Sequence, residues 1–95
     1  MIAARETNDE VGPVLICGDV ADAIVAAIAA RHPDVRILPH GSYVRVHAPA
    51  RCSVSRADVE AALGRPFSLP SDLETVMTSF RGRLVIDTEH AEWTA

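Results

Sequence analysis

Near its start, the chain passes from a short β-favouring run to a helical pattern and back, and this order limits the possible folds more than any other feature. The first run is Val14 to Cys17 and the second is Val35 to Leu38. Gly18 ends the first run and Pro33 ends the helical pattern. Between them, apolar residues recur at the spacing of one helix face, namely Val20, Ile24, Ala27 and Ile28. A helix that joins two strands needs a sheet to pack on, which favours an α/β fold.

The segment Tyr43 to Ala48 alternates between apolar and polar residues. One face of the predicted strand carries Val44, Val46 and Ala48, and the other carries Tyr43, Arg45 and His47. The apolar face is expected to lie on the core. The polar face is either an ordinary solvated surface or a contact surface, since aromatic residues and arginine are enriched in interfaces.

Capping residues mark the ends of two helices. Asp19 is predicted to be the N-cap of the first helix, with Asp22 as the acid of a capping box. Ser55 and Asp58 have the same spacing and predict the start of a second helix. Gly64 is expected to end that helix in a left-handed conformation.

The stretch after Gly64 combines two prolines with one of only two phenylalanines. Pro66 prevents the helix from continuing, and Phe67 and Leu69 are expected to fold back onto the core. Arg65 is left open between a structural ion pair and a contact to a partner.

The order of elements is strand, helix, strand, strand, followed by a looser copy of the same order. The second copy ends with a helical turn at Ser71 to Glu74 and with two strands, Val76 to Phe80 and Arg83 to Ile86, about Arg81-Gly82. We therefore predict an α/β (α+β) fold, a compact single domain built from βαββ units with two main helices packed on a mixed sheet. Residues 1–10 are predicted to be a flexible N-terminal arm and residues 11–95 the domain.

Composition and charge argue against several classes of function. A formal net charge of -4 and a pI near 5.4 argue against nucleic-acid binding, which depends on neutralising phosphates. The longest apolar run, Val20 to Ala30, is too short to span a bilayer, and Met1 to Glu10 does not have the pattern of a signal peptide. Cys17 and Cys52 match no metal or redox spacing and are expected to be reduced. The expected location is the cytoplasm.

The sequence has none of the motifs that the common catalytic and cofactor sites require. The strand-to-helix junction at Gly18 has a single glycine and no phosphate-binding pattern. The histidines and cysteines do not have the spacing of known metal sites, and no serine lies in a GxSxG elbow. We therefore expect no catalytic residue, no cofactor, no metal and no enzymatic activity.

Four segments, taken in order, resemble the coupling (effector, or regulatory) proteins of multicomponent bacterial diiron monooxygenases, which serve phenol, toluene, alkene and methane hydroxylases. The segments are NDEVGPVLICGD at 8–19, GSYVRVHAP at 41–49, LGRPFSLPSDLE at 63–74 and MTSFRGRL at 77–84. The resemblance runs from about residue 8 to Trp93. The N-terminal arm is short compared with that of the methane-oxidising members, which points toward the aromatic or alkene branch.

The resemblance implies a compact α/β protein without chemistry of its own that binds the hydroxylase above its diiron centre. Binding would tune oxygen activation, the coupling of electrons to product, and substrate access. Reductase or ferredoxin components would act on the same hydroxylase. By resemblance and expected exposure, the residues predicted to contact the hydroxylase are Asn8, Val11, Gly12, Pro13, Tyr43, Arg45, His47, Arg65, Phe67, Ser79 and Phe80.

Two alternatives remain open at this point. A βαββ pattern also suits a ferredoxin-like regulatory domain that binds a small molecule, because fold does not determine function. An enzyme that uses Cys17, Cys52 or His47 is the other alternative, and it would lose activity when these residues are replaced.

Overall fold

The computed structural model describes residues 9–95, which form an α/β arrangement of seven strands and three helices. In chain order the elements are β1 (Glu10–Ile16), α1 (Asp19–Arg31), β2 (Arg36–His40), β3 (Tyr43–Pro49), β4 (Arg51–Ser55), α2 (Arg56–Leu63), α3 (Ser71–Val76), β5 (Met77–Arg81), β6 (Arg83–Ile86) and β7 (His90–Thr94). The predicted fold class is therefore confirmed.

The strands form two sheets, one of order β2-β3-β1-β5 and one of order β4-β7-β6. Every pairing among residues 9–95 is antiparallel, so the prediction of a mixed sheet is wrong in strand direction. The reason is that β3 inserts between β1 and β2. Those two strands run parallel to each other on either side of β3, which is a split β-α-β arrangement.

One buried cluster joins the helices to both sheets. Its fully buried members include Leu15 of β1, Ile24 and Ile28 of α1, Val46 of β3 and Trp93 of β7. Because aromatic residues are scarce, aliphatic side chains form most of this core. The apolar face of β3 belongs to this cluster, whereas Tyr43 and Arg45 on its opposite face are exposed.

The two strands about Arg81-Gly82 are present but do not pair with each other. β5 pairs with β1, whereas β6 pairs with β7 in the other sheet. Gly82 has φ +97, and a Cβ there would lie 2.6 Å from the carbonyl oxygen of Thr94. The chain therefore crosses from one sheet to the other at a residue that only glycine can occupy without strain. β7 was not predicted.

The first helix begins differently from the prediction. Asp19 is the first residue of α1 rather than its N-cap, and Gly18 takes the N-cap position with no side-chain hydrogen bond. The backbone N–H of Asp22 donates to the carbonyl of Gly18 at 2.9 Å. The carboxylate of Asp19 is thereby free to turn outward, where it accepts a hydrogen bond from Arg65.

The predicted N-cap of α2 is confirmed. Ser55 is 7% exposed and accepts a hydrogen bond from the backbone N–H of Asp58 at 3.1 Å. Ser55→Ala is expected to lower the free energy of unfolding by about 1 kcal/mol, because the N–H of Asp58 loses its acceptor. Urea denaturation measures this change. Ser55→Thr keeps the hydroxyl and is the control, and equal losses in both variants would contradict the capping role.

The corner after α2 also has the predicted form. Gly64 is left-handed with φ +78, and its N–H donates to the carbonyl of Glu60 at 2.8 Å. The N–H of Phe67 donates to the carboxylate of Glu60 at 2.9 Å, and the Phe67 and Leu69 side chains are 2% and 5% exposed. Both side chains therefore cover the core, as predicted.

The arm predicted at residues 1–10 lies mostly outside the described residues. Of its residues, Glu10 is the first residue of β1, and the carbonyl of Asp9 accepts a hydrogen bond from Ala50 at 2.8 Å. The boundary at residue 11 thus falls inside a strand. Within residues 9–95, no helix is long and apolar enough to cross a bilayer.

Candidate functional site

The outer face of the β2-β3-β1-β5 sheet is the most distinctive surface of the molecule. Its register places Arg45 of β3 between Leu38 of β2 and Val14 of β1, and Val14 opposite Ser79 of β5. The neighbouring row pairs Tyr43 with both His40 and Ile16. Because side chains alternate along each strand, these residues share one face, and the apolar residues between them point to the core.

An open cleft of about 340 Å³ lies on this outer face and reaches across four strands. Its lining residues are Val14, His40, Tyr43, Arg45, His47, Thr78, Ser79 and Arg81. The cleft is cationic, because two arginines line it and no lining residue is acidic. We call it the cationic cleft.

A charged cluster borders the cleft at the end of β1. The Nε of Arg36 donates to Glu10 at 3.1 Å, and its Nη2 contacts the other carboxylate oxygen. The Nδ1 of His47 lies 3.3 Å from the same carboxylate. The hydrogen bonds and the positive charge of Arg36, with a smaller contribution from His47, hold the pKa of Glu10 below its usual value. The carboxylate is thereby already neutralised within the sheet.

His47 is a partly buried titratable group of the cleft. Its side chain is only 13% exposed, and this burial lowers the pKa of the imidazole. Glu10 acts in the opposite direction, whereas the positive charges of Arg81 and Arg36 act in the same direction as burial. His47 is therefore held mainly in its neutral form near pH 7.

Protonation of His47 is expected to destabilise the protein as the pH falls. Because the folded-state pKa lies below the ordinary value of 6.5, the unfolded chain takes up the proton first, and the free energy of unfolding decreases as the pH falls through 6.5. Glu10 contributes in a separate window, since its stabilisation is lost only as the pH falls below 4.5. Urea denaturation between pH 7.5 and 5.5 measures the effect. His47→Gln should show a smaller loss than the wild type, and equal losses would contradict the assignment.

The structure brings four of the predicted contact residues together. Tyr43, Arg45, His47 and Ser79 all line the cationic cleft. Tyr43 is 42% exposed, and Arg45 and Ser79 are exposed as well. The clean alternation of β3 is the reason that three of them were found from the sequence.

Other predicted contact residues lie in the interior. Val11 is 1% exposed, Phe67 is 2% exposed, and Gly12 and Pro13 are buried. The side chains of Val11, Pro13 and Phe67 pack inside the molecule and the backbone of Gly12 is covered, so we do not propose these four as contact residues. They were chosen because the family resemblance includes their segments, and a shared segment can reflect shared packing. Asn8 lies outside the described residues.

Arg65 and Phe80 are exposed but lie away from the cleft. Arg65 donates to the carboxylate of Asp19 at 2.8 Å on the helical side of the molecule. This contact is an exposed ion pair between α1 and the corner after α2, whereas a contact of Arg65 to a partner stays a prediction. Phe80 is 43% exposed and lies opposite Pro13 in register, on the other face of β5 from Ser79.

Several residues of the cleft were not predicted, and Arg81 is the most important. The sequence interpretation placed Arg81 in a turn, whereas it is the last residue of β5. Extending the strand by one residue would have put Arg81 on the same face as Ser79 by simple alternation. Thr78, Val14 and His40 carried no comparable signal, because their place in the cleft depends on which strands pair.

The two cysteines differ in exposure, and neither belongs to a metal-binding group among residues 9–95. Cys52 is fully buried, and this burial raises the pKa of its thiol to about 12, so it is not a nucleophile near pH 7. Cys17 is exposed, and its thiol faces the carbonyl of Gly41 at 4.0 Å. Within residues 9–95, no three histidine, cysteine or acidic side chains come together in a way that could hold a metal ion.

The chain is a small α/β protein with a cationic cleft on a solvent-facing sheet surface. The chain belongs to the MmoB/DmpM family, whose model matches residues 9–94. It is 41% identical over 85 residues to the effector subunit of the alkene monooxygenase system of Xanthobacter autotrophicus strain Py2, covering 87% of this chain and 83% of that protein. The predicted family is therefore confirmed.

Solved structures show the same fold. A chain of a phenol hydroxylase–regulatory protein complex matches with a TM-score of 0.79 and 20% identity, over 90% of this chain and 97% of that one. The soluble methane monooxygenase regulatory protein B matches with a TM-score of 0.67 and 22% identity, over 92% of this chain and 64% of that one.

Proposed function

We propose that this chain is the effector subunit of an alkene monooxygenase and acts by binding the diiron hydroxylase component. The observation that carries the proposal is the 41% identity to an alkene monooxygenase effector subunit, since the match extends over most of both chains. The fold that the chain shares with a phenol hydroxylase regulatory protein is consistent with the same role. The chain itself performs no chemistry and holds no cofactor in this proposal.

The physical basis of such an effect is a difference in affinity. An effector that binds one conformation of the hydroxylase more tightly than another shifts the hydroxylase toward the first. A tenfold shift requires a difference of only about 1.4 kcal/mol. Oxygen activation, electron coupling and substrate access can all change in this way, because each depends on the conformation of the hydroxylase around its metal centre.

The proposed site of action is the cytoplasm, where the reductase or ferredoxin components deliver electrons to the same hydroxylase. Both cysteines are free thiols, which suits a reducing compartment. No membrane or nucleic-acid partner is proposed, in keeping with the net charge of -4.

Reconstitution tests the proposal. The hydroxylase and its electron-transfer components are assayed with an alkene while this chain is added in increasing amounts. The rate of product formation and the product formed per electron pair consumed are expected to rise and to level off near a fixed ratio of chain to hydroxylase. Heat-denatured chain is the control. No change in turnover, coupling or product distribution would refute the proposal.

A further inference from the structure

Most arginines of this protein are neutralised by its own carboxylates. Within residues 9–95, the arginines with a carboxylate oxygen within 4.0 Å are Arg31, Arg36, Arg51, Arg56 and Arg65. The described arginines without such a partner are Arg45, Arg81 and Arg83. In an acidic protein, arginines without an internal partner are available to a partner molecule.

Arg45 and Arg81 line the same cleft. They come from β3 and β5, which pair with the two edges of β1, where Arg45 lies opposite Val14 and Arg81 lies opposite Gly12. The carboxylate of Glu10, which borders the cleft, is bound by Arg36. Arg83 differs in position, since it lies on β6 in the other sheet.

The surroundings of the two guanidinium groups combine polar and apolar contacts. Tyr43 and Ser79 line the cleft and present hydroxyl groups. Around it, Ile16, Tyr43 and Leu38 are 44%, 42% and 36% exposed. Exposed apolar side chains around an arginine anchor are typical of the centre of a protein–protein interface.

We propose that the cationic cleft is the docking point for an acidic segment of the hydroxylase, and that an aspartate or glutamate side chain of that segment binds between Arg45 and Arg81. This inference rests on the proposed function and adds to it the surface used and the chemistry of the partner. A planar guanidinium binds a carboxylate through two parallel hydrogen bonds, which gives both strength and orientation.

Size and charge both favour such an occupant. A volume of about 340 Å³ is at the lower end of the roughly 300–1,000 Å³ of small-ligand pockets, so the cleft suits a side chain or two. The protein has a net charge of -4, so an acidic partner is repelled everywhere except at a locally positive face. The cleft therefore selects the orientation of approach as well as adding affinity.

Three single variants test the proposal. Arg45→Gln and Arg81→Gln each remove one guanidinium from the cleft, and Arg83→Gln removes an exposed, unpaired arginine from the other sheet as a matched control. Affinity for the intact hydroxylase is measured by calorimetry at low and high salt, and circular dichroism verifies that each variant is folded. Loss of a charge-assisted hydrogen bond predicts at least about tenfold weaker binding for each cleft variant. The control should stay within about twofold of the wild type.

Salt dependence gives a second measurement. Wild-type affinity should fall as salt is added, and the Arg45→Gln/Arg81→Gln double variant should lose much of this dependence. A titration with inorganic phosphate, monitored by the NMR signals of the two arginine side chains, tests whether the cleft binds a free small anion. The result distinguishes such an anion from a protein carboxylate as the occupant of the cleft. Saturable phosphate binding in the cleft, with unchanged hydroxylase affinity in the variants, would assign the cleft to a small anion and overturn the proposal.

Two further outcomes would also overturn the docking site. Unchanged hydroxylase affinity in both cleft variants would exclude the docking site. A loss of affinity in Arg83→Gln as large as in the cleft variants would show that the effect comes from net charge and not from the cleft. In either case, a wild-type chain that still stimulates the hydroxylase leaves the proposed function intact. Failure of the wild-type chain to stimulate or bind would refute the proposed function itself.

Discussion

Gly12→Ala is expected to lower the free energy of unfolding by about 3 kcal/mol or more. Gly12 lies in β1 with φ +144, and a Cβ there would be 2.2 Å from the carbonyl oxygen of Val46. No side chain can move aside to relieve this contact, because the opposing atom belongs to the backbone of β3. The two central strands would have to separate, which costs both hydrogen bonds and core packing. Urea or thermal denaturation measures the change.

Gly18→Ala is the matched control for this prediction. Gly18 has a similar φ of +154, but a Cβ there would have no heavy atom within 4 Å. Its substitution therefore reports the conformational cost alone, about 1 to 2 kcal/mol. If Gly12→Ala cost no more than Gly18→Ala, the close approach of β1 and β3 at Gly12 would be refuted.

Phe67→Ala is expected to cost about 3 to 5 kcal/mol of stability, because the ring is 2% exposed and its removal leaves a cavity beneath the corner after α2. Hydroxylase binding measured at a low temperature, where the variant is still folded, should be close to that of the wild type. A loss of stability without a loss of hydroxylase binding would identify Phe67 as a packing residue and not as a contact residue. Thermal denaturation and calorimetry supply the two measurements.

Phe80→Ala provides the same substitution at an exposed site. Phe80 is 43% exposed, so its replacement should change the free energy of unfolding by less than about 1 kcal/mol.

A folded Phe67→Ala variant that bound the hydroxylase at least tenfold more weakly than the wild type would contradict the packing role of Phe67 and would identify it as a contact residue.

Local patterns in the sequence were sufficient to predict the elements that depend on local forces. The apolar spacing from Val20 to Ile28 predicted α1, and the alternation from Tyr43 to Ala48 predicted β3. Ser55 and Gly64 marked the two ends of α2 correctly, because capping depends on backbone groups within a few residues. These signals do not require knowledge of the rest of the chain.

Pairing between distant strands could not be predicted in the same way. β5 and β6 are adjacent in sequence and meet at Gly82, yet each pairs with a strand from elsewhere in the chain. β7 was missed because its sequence, HAEWT, is short and lies in an acidic tail. Trp93 was correspondingly not predicted as a core residue, although it is fully buried.

Only part of the candidate site was predicted, because the rest depends on pairing between distant strands. Tyr43, Arg45 and His47 follow from the alternation of one strand. Arg81 joins them only because β5 pairs with β1, which is a long-range event. The sheet order β2-β3-β1-β5 is itself compatible with a ferredoxin-like regulatory domain, so membership of the MmoB/DmpM family, and not the fold, favours the effector over that alternative.

The late position of β5 in the sequence also affects how the protein is made. During synthesis, β2, β3 and β1 can assemble early, but the outer edge of β1 stays open until β5 has emerged from the ribosome. Thr78, Ser79 and Arg81, which complete the cationic cleft, arrive with that strand. A nascent or incompletely folded chain therefore presents only the part of the cleft that β1, β2 and β3 line, so a partner that binds across the proposed docking site needs the complete sheet.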